Sequence, residues 1–569
     1  MGKAVGLLPP ACMAGALACF YVGLRVKFHP ETWANSAVAH GYRADWILYP
    51  PLELLVGFGL LCLLVLFISA TVAETARKKA KVGEVTSHGS ARLATTQEVR
   101  RQGHGRKGVV LCMEDRAELK GQLNTTADRF SWVFKRTAPL ICNRWLHVFV
   151  EGPTGAGKGE SVMLPTLLTD VHRSYVILDP KGELWDQSAA YRSVYGHVRR
   201  FAPTEPGSAK CNPLLAIPVG TDQEVVEATR IATVLVVGVK DDKSSGYFYS
   251  ENALPLLVGA IVYVLHMNEG KDRSIPGAYK VLFHQANHKA VITQIMEGIP
   301  EYAPELKAAL ESLLLDPKSL PSAFGTCRNA LRFCMMAPIR EALSGTVEDK
   351  NLFEPRDLFE LSAPLSVYFV WPFHHASVMK PVARMLLDVF LSSHRRSNPR
   401  QETVYLLDEL PSIGAVPSLL NGIRELRGFG VQLVLAAQSE SDLYAQSAYG
   451  IEGGQSIIAN CRARVYLSLA GQKNLKELAE TLGKSTFVTE RETTAVSRKS
   501  LFERTITKTA GQGANARELL TADELRALPE DQSIVVLPGL RPYIGKRALR
   551  YAIKELKRRS ELKSLRRAS

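Results

Sequence analysis

Apolar and polar positions divide the chain into unlike stretches. Residues 54–73, LLVGFGLLCLLVLFISATVA, carry no charge over twenty positions, and a helix of that length, at about 1.5 Å per residue, crosses a hydrocarbon layer of about 30 Å. Residues 4–24 are uncharged too, although Pro9 and Pro10 interrupt them and disturb helical hydrogen bonding. Two N-terminal transmembrane helices follow, at 4–24 and 54–73, joined by an outer loop at 25–53. The small-residue triplet Ala16-Leu17-Ala18 resembles a cleavage site, but a second span so close behind favours an uncleaved anchor. Further on, short apolar runs at 146–150, 175–178, 367–371, 404–407, 433–436, 465–467 and 534–537 alternate with helical or polar segments. That alternation predicts a parallel α/β sheet covered by helices on both faces.

Between 212 and 345 the pattern becomes helical, punctuated by Pro276, Pro300, Pro304, Pro317 and Pro321, and predicts an all-α domain inserted into the α/β core. The apolar run 253–265 has only thirteen residues, which suits a buried helix better than a third span. Residues 490–513 are polar and rich in Thr and Ser without sustained periodicity, and read as an exposed linker or loop. The expected domains are an anchor at 1–73, a nucleotide-binding domain from 74–211 and 346–553, the helical insert at 212–345, and a basic helical tail at 554–569.

Charge sharpens this picture in two places. The formal net charge is +14, yet nine Lys/Arg face two Glu between 76 and 107, and ten face two between 546 and 569, which leaves the remainder near −1. Basicity therefore does not mark the body as nucleic-acid binding. The first cluster follows the second span directly, so the positive-inside rule puts both termini in the cytoplasm and the basic residues against anionic lipid. The tail is open to a partner, to acidic lipid, or to solvent. Nine cysteines without a CxxC pair argue against a disulfide framework and a structural zinc site. His284 and His288 stand four apart, the spacing of one helix face, but no third metal ligand is near in sequence.

Candidate chemistry concentrates after the run at 146–150, which leads into Gly152-Pro153-Thr154-Gly155-Ala156-Gly157-Lys158-Gly159-Glu160 and then a helical run. This strand, glycine turn and helix is the context of a P-loop, whose backbone N–H groups cradle phosphates while Lys158 reaches the terminal ones. The eighth position, normally a Ser or Thr that ligates magnesium, is Gly159; Ser161 or a water remains open as its substitute. The run 404–407 ends in Asp408 and Glu409, placing Asp408 to hold hydrated Mg2+ and Glu409 to polarise an attacking water. Gln438, after the run at 433–436, is placed to sense the terminal phosphate. Asp179-Pro180-Lys181-Gly182-Glu183 follows another strand and could orient a group near that edge, although in isolation it reads as an ordinary turn. The stretch 467–472, LSLAGQ, follows the acidic strand rather than preceding it, an order that excludes an ABC transporter.

Two N-terminal spans followed by SHGSARLAT, GPTGAGKGESVMLPTLL, LDPKGELW, LLDELPSIG, LAAQS, ANCRARVYL and RELLTADELRALP resemble, in order, the TraG-like coupling ATPases of type IV secretion systems. The resemblance runs from the first span to about residue 551. It implies a RecA-like P-loop core with an inserted all-α domain, ATP and Mg2+ as ligands, and a hexameric ring at the bacterial inner membrane. It also implies delivery of a relaxase bound to single-stranded DNA, or of a protein substrate, to a secretion channel at the expense of ATP. A glycine after the P-loop lysine is common in that group. The family's arginine that reaches a neighbouring subunit's nucleotide maps best to Arg427, with Arg424 as the other possibility. Two other readings stand beside this one: a docking receptor that binds nucleotide without hydrolysing it, and an FtsK-like motor on double-stranded DNA.

Overall fold

Runs of β-branched and aromatic residues supply the strands, and in the computed structural model most of them join one sheet. The structure describes residues 90–101, 108–114, 139–142, 146–237, 246–395, 401–469, 471–500 and 503–562. Both expected spans and the outer loop lie outside these residues. Among the described residues no helix is long and apolar enough to cross a membrane. In chain order the strands are β1 (Val109–Met113), β2 (Pro139–Cys142), β3 (Val148–Glu151), β4 (Ser174–Leu178), β5 (His197–Phe201), β6 (Leu365–Phe369) and β7 (Thr403–Leu407). There follow β8 (Val431–Ala437), β9 (Ala463–Tyr466), β10 (Lys484–Ser500), β11 (Glu503–Glu518), β12 (Gln532–Val536) and β13 (Tyr543–Lys546).

Eleven strands pair in the order β2-β1-β13-β12-β9-β3-β8-β7-β4-β6-β5. From β9 to β5 all neighbours are parallel, and from β9 to β2 all are antiparallel. The sheet is thus mixed, which corrects the expectation of a purely parallel one. All but the last residue of the run at 534–537 lies in β12, which pairs antiparallel with β9 and β13; the short link from β12 to β13 leaves no room for the helical crossover a parallel pair needs.

Alternate residues of the central strands feed opposite cores, as the two-residue period of a strand requires. Phe149, Val176 and Leu178 join one apolar cluster, whereas Val148, Val150, Tyr175 and Ile177 join another on the opposite face. Between β5 and β6 the described residues form helices joined by turns, with one isolated β-bridge between Lys210 and Leu352. The run at 253–265 lies in the helix Gly246–Met267, where Leu256, Leu257, Ile261 and Val264 are fully buried. The insert's core is continuous with the first face of the sheet, because one cluster joins Ile261 and Leu310 to Phe369 and Phe390. Helix Ala376–His394, which follows β6, carries Phe390 and bridges the two.

Two readings are corrected in detail. Residues 490–500 and 503–513 are not a loop but the greater part of a two-stranded antiparallel ribbon, β10 with β11, paired from Lys484↔Glu518 to Ser500↔Glu503. Its Thr, Val and Ile content suits strands, and the absence of sustained apolar alternation hid it. His284 and His288 do not share a helix face: Phe283 ends one helix, and Asn287 caps the next, which begins at His288. His288 stacks on Phe324 at 4.0 Å. The tail from 554 forms a helix to Ser560 that buries Leu556, and Arg559 donates to the Leu168 carbonyl at 2.6 Å.

Candidate nucleotide site

The site lies at the carboxyl ends of the parallel strands. β3 is flanked by β8 and β9, so the loop after Glu151 leaves the middle of the sheet with neighbours on both sides. Gly152 donates its N–H to the Ala437 carbonyl at 3.3 Å, and a Cβ at Gly152 would meet the Leu467 carbonyl at 2.8 Å. Gly155 and Gly157 adopt φ of 82° and 77°, the left-handed region where a side chain is strained. The helix that follows starts with wide turns over Gly159–Met163 and becomes regular only from Leu164. Pro165 lacks an N–H and crowds the carbonyl four residues before it, which accounts for the widening.

Pro153, Gly155, Gly157, Lys158, Asp408 and Glu409 help to line one cleft with an empty volume of about 790 Å³. Lys158 is 8% exposed and donates to the Gly152 and Pro153 carbonyls at 2.6 and 3.4 Å. Burial pulls its ammonium below the ordinary lysine range, against the opposing pull of Asp408 and Glu409. Burial pushes the Asp408 carboxyl up to about 6, with Lys158 holding it back and Glu409 adding to the rise. Its Oδ1 is sealed from solvent with no hydrogen-bond partner among the described residues, an orphaned oxygen donor beside the phosphate loop. Such an oxygen fits hydrated Mg2+, which prefers carboxylate and water ligands. Glu409 adopts φ 51° and ψ 43°, and the buried Leu410 and Ile413 behind it hold that unfavourable backbone in place.

Among the other residues expected at the site, Ala156 is buried, whereas Thr154 lies exposed at the mouth of the cleft. Gly159 faces open space, with nothing within 4 Å of an added Cβ. Glu160 lines the rim, but its carboxylate is paired with Arg550 at 3.0 Å. Ser161 is 1% exposed and donates its hydroxyl to the Gly157 carbonyl at 2.7 Å, so it points into its own helix and does not replace the missing ligand. Gln438 follows the last residue of β8 and is exposed, next to the strand end that receives the Gly152 N–H. Arg427 is not brought to this cleft. It lies before β8, at the opposite edge of the sheet, where its charge acts on the buried His147. Arg424 and Arg427 are both exposed there.

Several contributors escaped the sequence reading. Asp179, directly after β4, lines the cleft with Lys181; burial pushes its carboxyl up to about 7, against amide hydrogen bonds from residues such as Trp185 at 2.8 Å. Its signal, an acid after an apolar strand, is the one that marks Asp408. Arg547 is 9% exposed and donates to the Ala156 carbonyl at 2.8 Å, to Ser468 Oγ at 2.5 Å and to the Gln532 carbonyl at 2.9 Å. It clamps the P-loop from a position 391 residues along the chain, for which no local signal exists.

The family described as type IV secretory system conjugative DNA transfer matches residues 109–568. The conjugal transfer protein TraG of Escherichia coli is 26% identical over 399 residues, covering 67% of this chain and 62% of the relative. Protein VirD4 of Rhizobium radiobacter is 25% identical over 490 residues, covering 83% of this chain and 65% of the relative. The chain therefore spans less than two thirds of the length of these relatives. Among solved structures, the unbound bacterial conjugative coupling protein TrwBdeltaN70 superposes with a TM-score of 0.56 at 16% identity, covering 81% of this chain and 92% of its own. The plasmid coupling protein TrwB in complex with ADP and Mg2+ gives 0.54 at 16% identity, with 81% and 93% covered. The fold is thus that of these P-loop coupling proteins. With a match that extends over most of its length, the chain belongs to the type IV secretory system conjugative DNA transfer family.

Proposed function

We propose that this protein is an inner-membrane coupling ATPase that receives a relaxase carrying single-stranded DNA, or a protein substrate, and drives it into a type IV secretion channel as a hexameric ring. The observation that carries the reading is the convergence of Lys158, Asp408 with its orphaned Oδ1, and Glu409 on one cleft under a P-loop. Bound Mg2+ would supply charge neutralisation between the terminal phosphates of ATP. Lys158, now hydrogen-bonded to its own loop, swings to the terminal phosphates, and the N–H groups from Gly155 to Gly159 hold the phosphates in place. Asp408 gives up its proton and holds the metal's water shell. Glu409 accepts the proton of the attacking water, and Gln438 reads whether the terminal phosphate is present. Arg427, exposed at the far edge, serves the neighbouring subunit's cleft, which makes turnover depend on assembly. The N-terminal spans anchor the ring, and the basic residues after them sit against anionic lipid.

Phosphate release by the full chain in detergent tests the proposal, with and without single-stranded DNA. Release that DNA stimulates and that vanishes in Lys158→Ala and Glu409→Gln is expected; equal release in all three proteins would refute it. A second reading, a docking receptor that binds nucleotide without hydrolysing it, is favoured by the missing hydroxyl at Gly159 and the engaged one at Ser161. ATP bound in verified hexamers without phosphate release would select that reading.

A further inference from the structure

Most buried arginines of this protein have partners. Arg192, 2% exposed, donates to Ser366 Oγ and to the carbonyls of Leu167, Asp170 and Arg173. Arg547 has its three acceptors, and the partly buried Arg230 pairs with Glu227 and Asp388. Arg384 is the exception. It is 7% exposed, makes no hydrogen bond or ion pair among the described residues, and its Nε is sealed and unpartnered. Asp388, one turn further along the same helix, is committed to Arg230 and to the Ser418 N–H at 2.7 Å. A guanidinium stays protonated in proteins, and a buried charge without a counter-charge is disfavoured unless a ligand supplies one.

Arg384 lines a groove where the helical insert meets the sheet domain, with an empty volume of about 1140 Å³. Lys380 stands one helical turn before it, about 6 Å along the axis. Arg332 and Asn329 enter from the insert, and Ser412 and Ser447 from the loops of the sheet domain. No carboxylate lines the groove among the described residues. Three cations, neutral donors and no acid describe a site for an anion. The groove is larger than one free phosphate requires; the second groove that shares Lys380 and Ser412 with it carries Glu183, Asp186, Glu205 and Glu409 beside Lys181 and Arg200, so the acid-free stretch is confined to the first. Cations spaced along an open groove suit a strand of linked phosphates.

We propose that this groove binds the sugar-phosphate backbone of single-stranded nucleic acid, with Arg384 pairing one phosphate and Lys380 and Arg332 engaging its neighbours. The choice of occupant rests on the coupling-motor reading above; the anion site itself rests on Arg384. Asn329, Ser412 and Ser447 donate to phosphate oxygens rather than to bases, so binding is indifferent to sequence. One wall, the turn from Leu410 to Gly414, continues directly from Glu409, so a bound strand touches the segment that positions the acid of the nucleotide cleft.

The test is fluorescence anisotropy of a labelled oligothymidylate on the full chain in detergent, titrated with salt, beside a peptide nucleic acid of the same sequence with an uncharged backbone. Wild type should bind the DNA and not the uncharged analogue. Lys380→Ala and Arg332→Ala should each weaken binding by about three- to tenfold and lower the salt slope by about 0.7, one phosphate contact's share on a single strand. Arg384→Met, close in volume, should weaken it by about tenfold or more. Binding of an ATP analogue in the same samples verifies folding, and the two more accessible substitutions carry the test if Arg384→Met fails it. Absent DNA binding by wild type, equal binding of the uncharged analogue, or affinity and salt slope unchanged in the folded variants would each overturn the proposal. Phosphate release separates the two ideas: DNA binding that depends on these residues without ATP turnover sinks the motor and leaves the groove. Normal turnover with DNA binding blind to all three residues does the reverse.

Discussion

Replacing Asp408 with Asn should stabilise the nucleotide-free protein while removing its response to Mg2+ and nucleotide. Burial pushes the Asp408 carboxyl from 3.8 up to about 6, so the folded chain holds this proton to higher pH than the unfolded chain does. Between those values the unfolded state binds fewer protons, and stability falls as pH rises through that window, remaining low above it. A rise of roughly two pK units corresponds to about 3 kcal/mol at about 1.4 kcal/mol each. Water can reach the outer part of this half-buried side chain, so about 1–2 kcal/mol is the working figure. Asn keeps the shape and cannot ionise. In EDTA without nucleotide, thermal unfolding of Asp408→Asn near pH 8 should therefore lie one to a few degrees above wild type, and the gap should close near pH 4. Adding nucleotide and Mg2+ reverses the order. At a hundredfold excess over Kd, wild type gains about 2.7 kcal/mol from binding, whereas the variant, having lost the carboxylate that fits the metal, gains far less. An Asn variant no more stable than wild type near pH 8 in EDTA would refute the reasoning, because it would mean that the buried carboxylate carries no penalty.

Three further substitutions probe the parts around it. Arg547→Met removes three hydrogen bonds from one buried guanidinium and should lower stability by about 2–4 kcal/mol; nucleotide affinity, read by titration of a fluorescent ATP analogue, should fall about tenfold as the P-loop loses its clamp. Gly159→Ser meets nothing within 4 Å, so it should fold normally and lower, by about threefold to tenfold, the Mg2+ concentration needed for half-maximal nucleotide binding; an unchanged requirement would show that the hydroxyl has no place at this metal. Arg427→Ala should leave the affinity for ATP unchanged, because the side chain is exposed at the far edge from this chain's own cleft. Mixed with Lys158→Ala it should restore about a quarter of wild-type phosphate release, since in random rings an intact cleft meets an intact neighbour's arginine in one interface of four; no restoration would remove the trans role.

The residues that line the candidate cleft could be singled out because their signals are local. Gly152 to Lys158 form one turn after one strand, and the acids Asp408 and Glu409 end another, so apolar run plus terminal residue sufficed to place each. Asp179 carries the same signal, but an ordinary turn accounts for it as well in sequence, since nothing in one dimension says that β4 lies beside β7. The inserted helices were visible from their period and prolines. Sheet direction was not: an apolar run looks alike whichever way its neighbour points, and only the short link between β12 and β13 decides it. The sequence of β10 and β11 has no sustained apolar alternation, which is why 490–513 reads as a loop in one dimension. The spans, whose apolar runs are the plainest feature of the sequence, lie outside the described residues.

What no local pattern announces is how the P-loop is held. Its backbone needs two left-handed glycines, and such a loop collapses onto its own carbonyls unless the surroundings hold it open. On one side Gly152 is pinned between the Ala437 carbonyl and the end of β9. On the other, Arg547 binds the Ala156 carbonyl and Arg550 binds Glu160, so residues near the end of the described chain fix the geometry of a loop near its beginning. Ser468, which Arg547 also holds, adopts φ 43°, a backbone state that a non-glycine residue keeps only when its neighbours enforce it. Strain at Ser468 and at Glu409 thus brackets the loop from two neighbouring regions of the sheet. Movement of β9 reaches the loop directly through its pairing with β3, and movement of the β12–β13 hairpin reaches it through Arg547. A subunit contact made by that hairpin would therefore act on nucleotide affinity without touching the nucleotide.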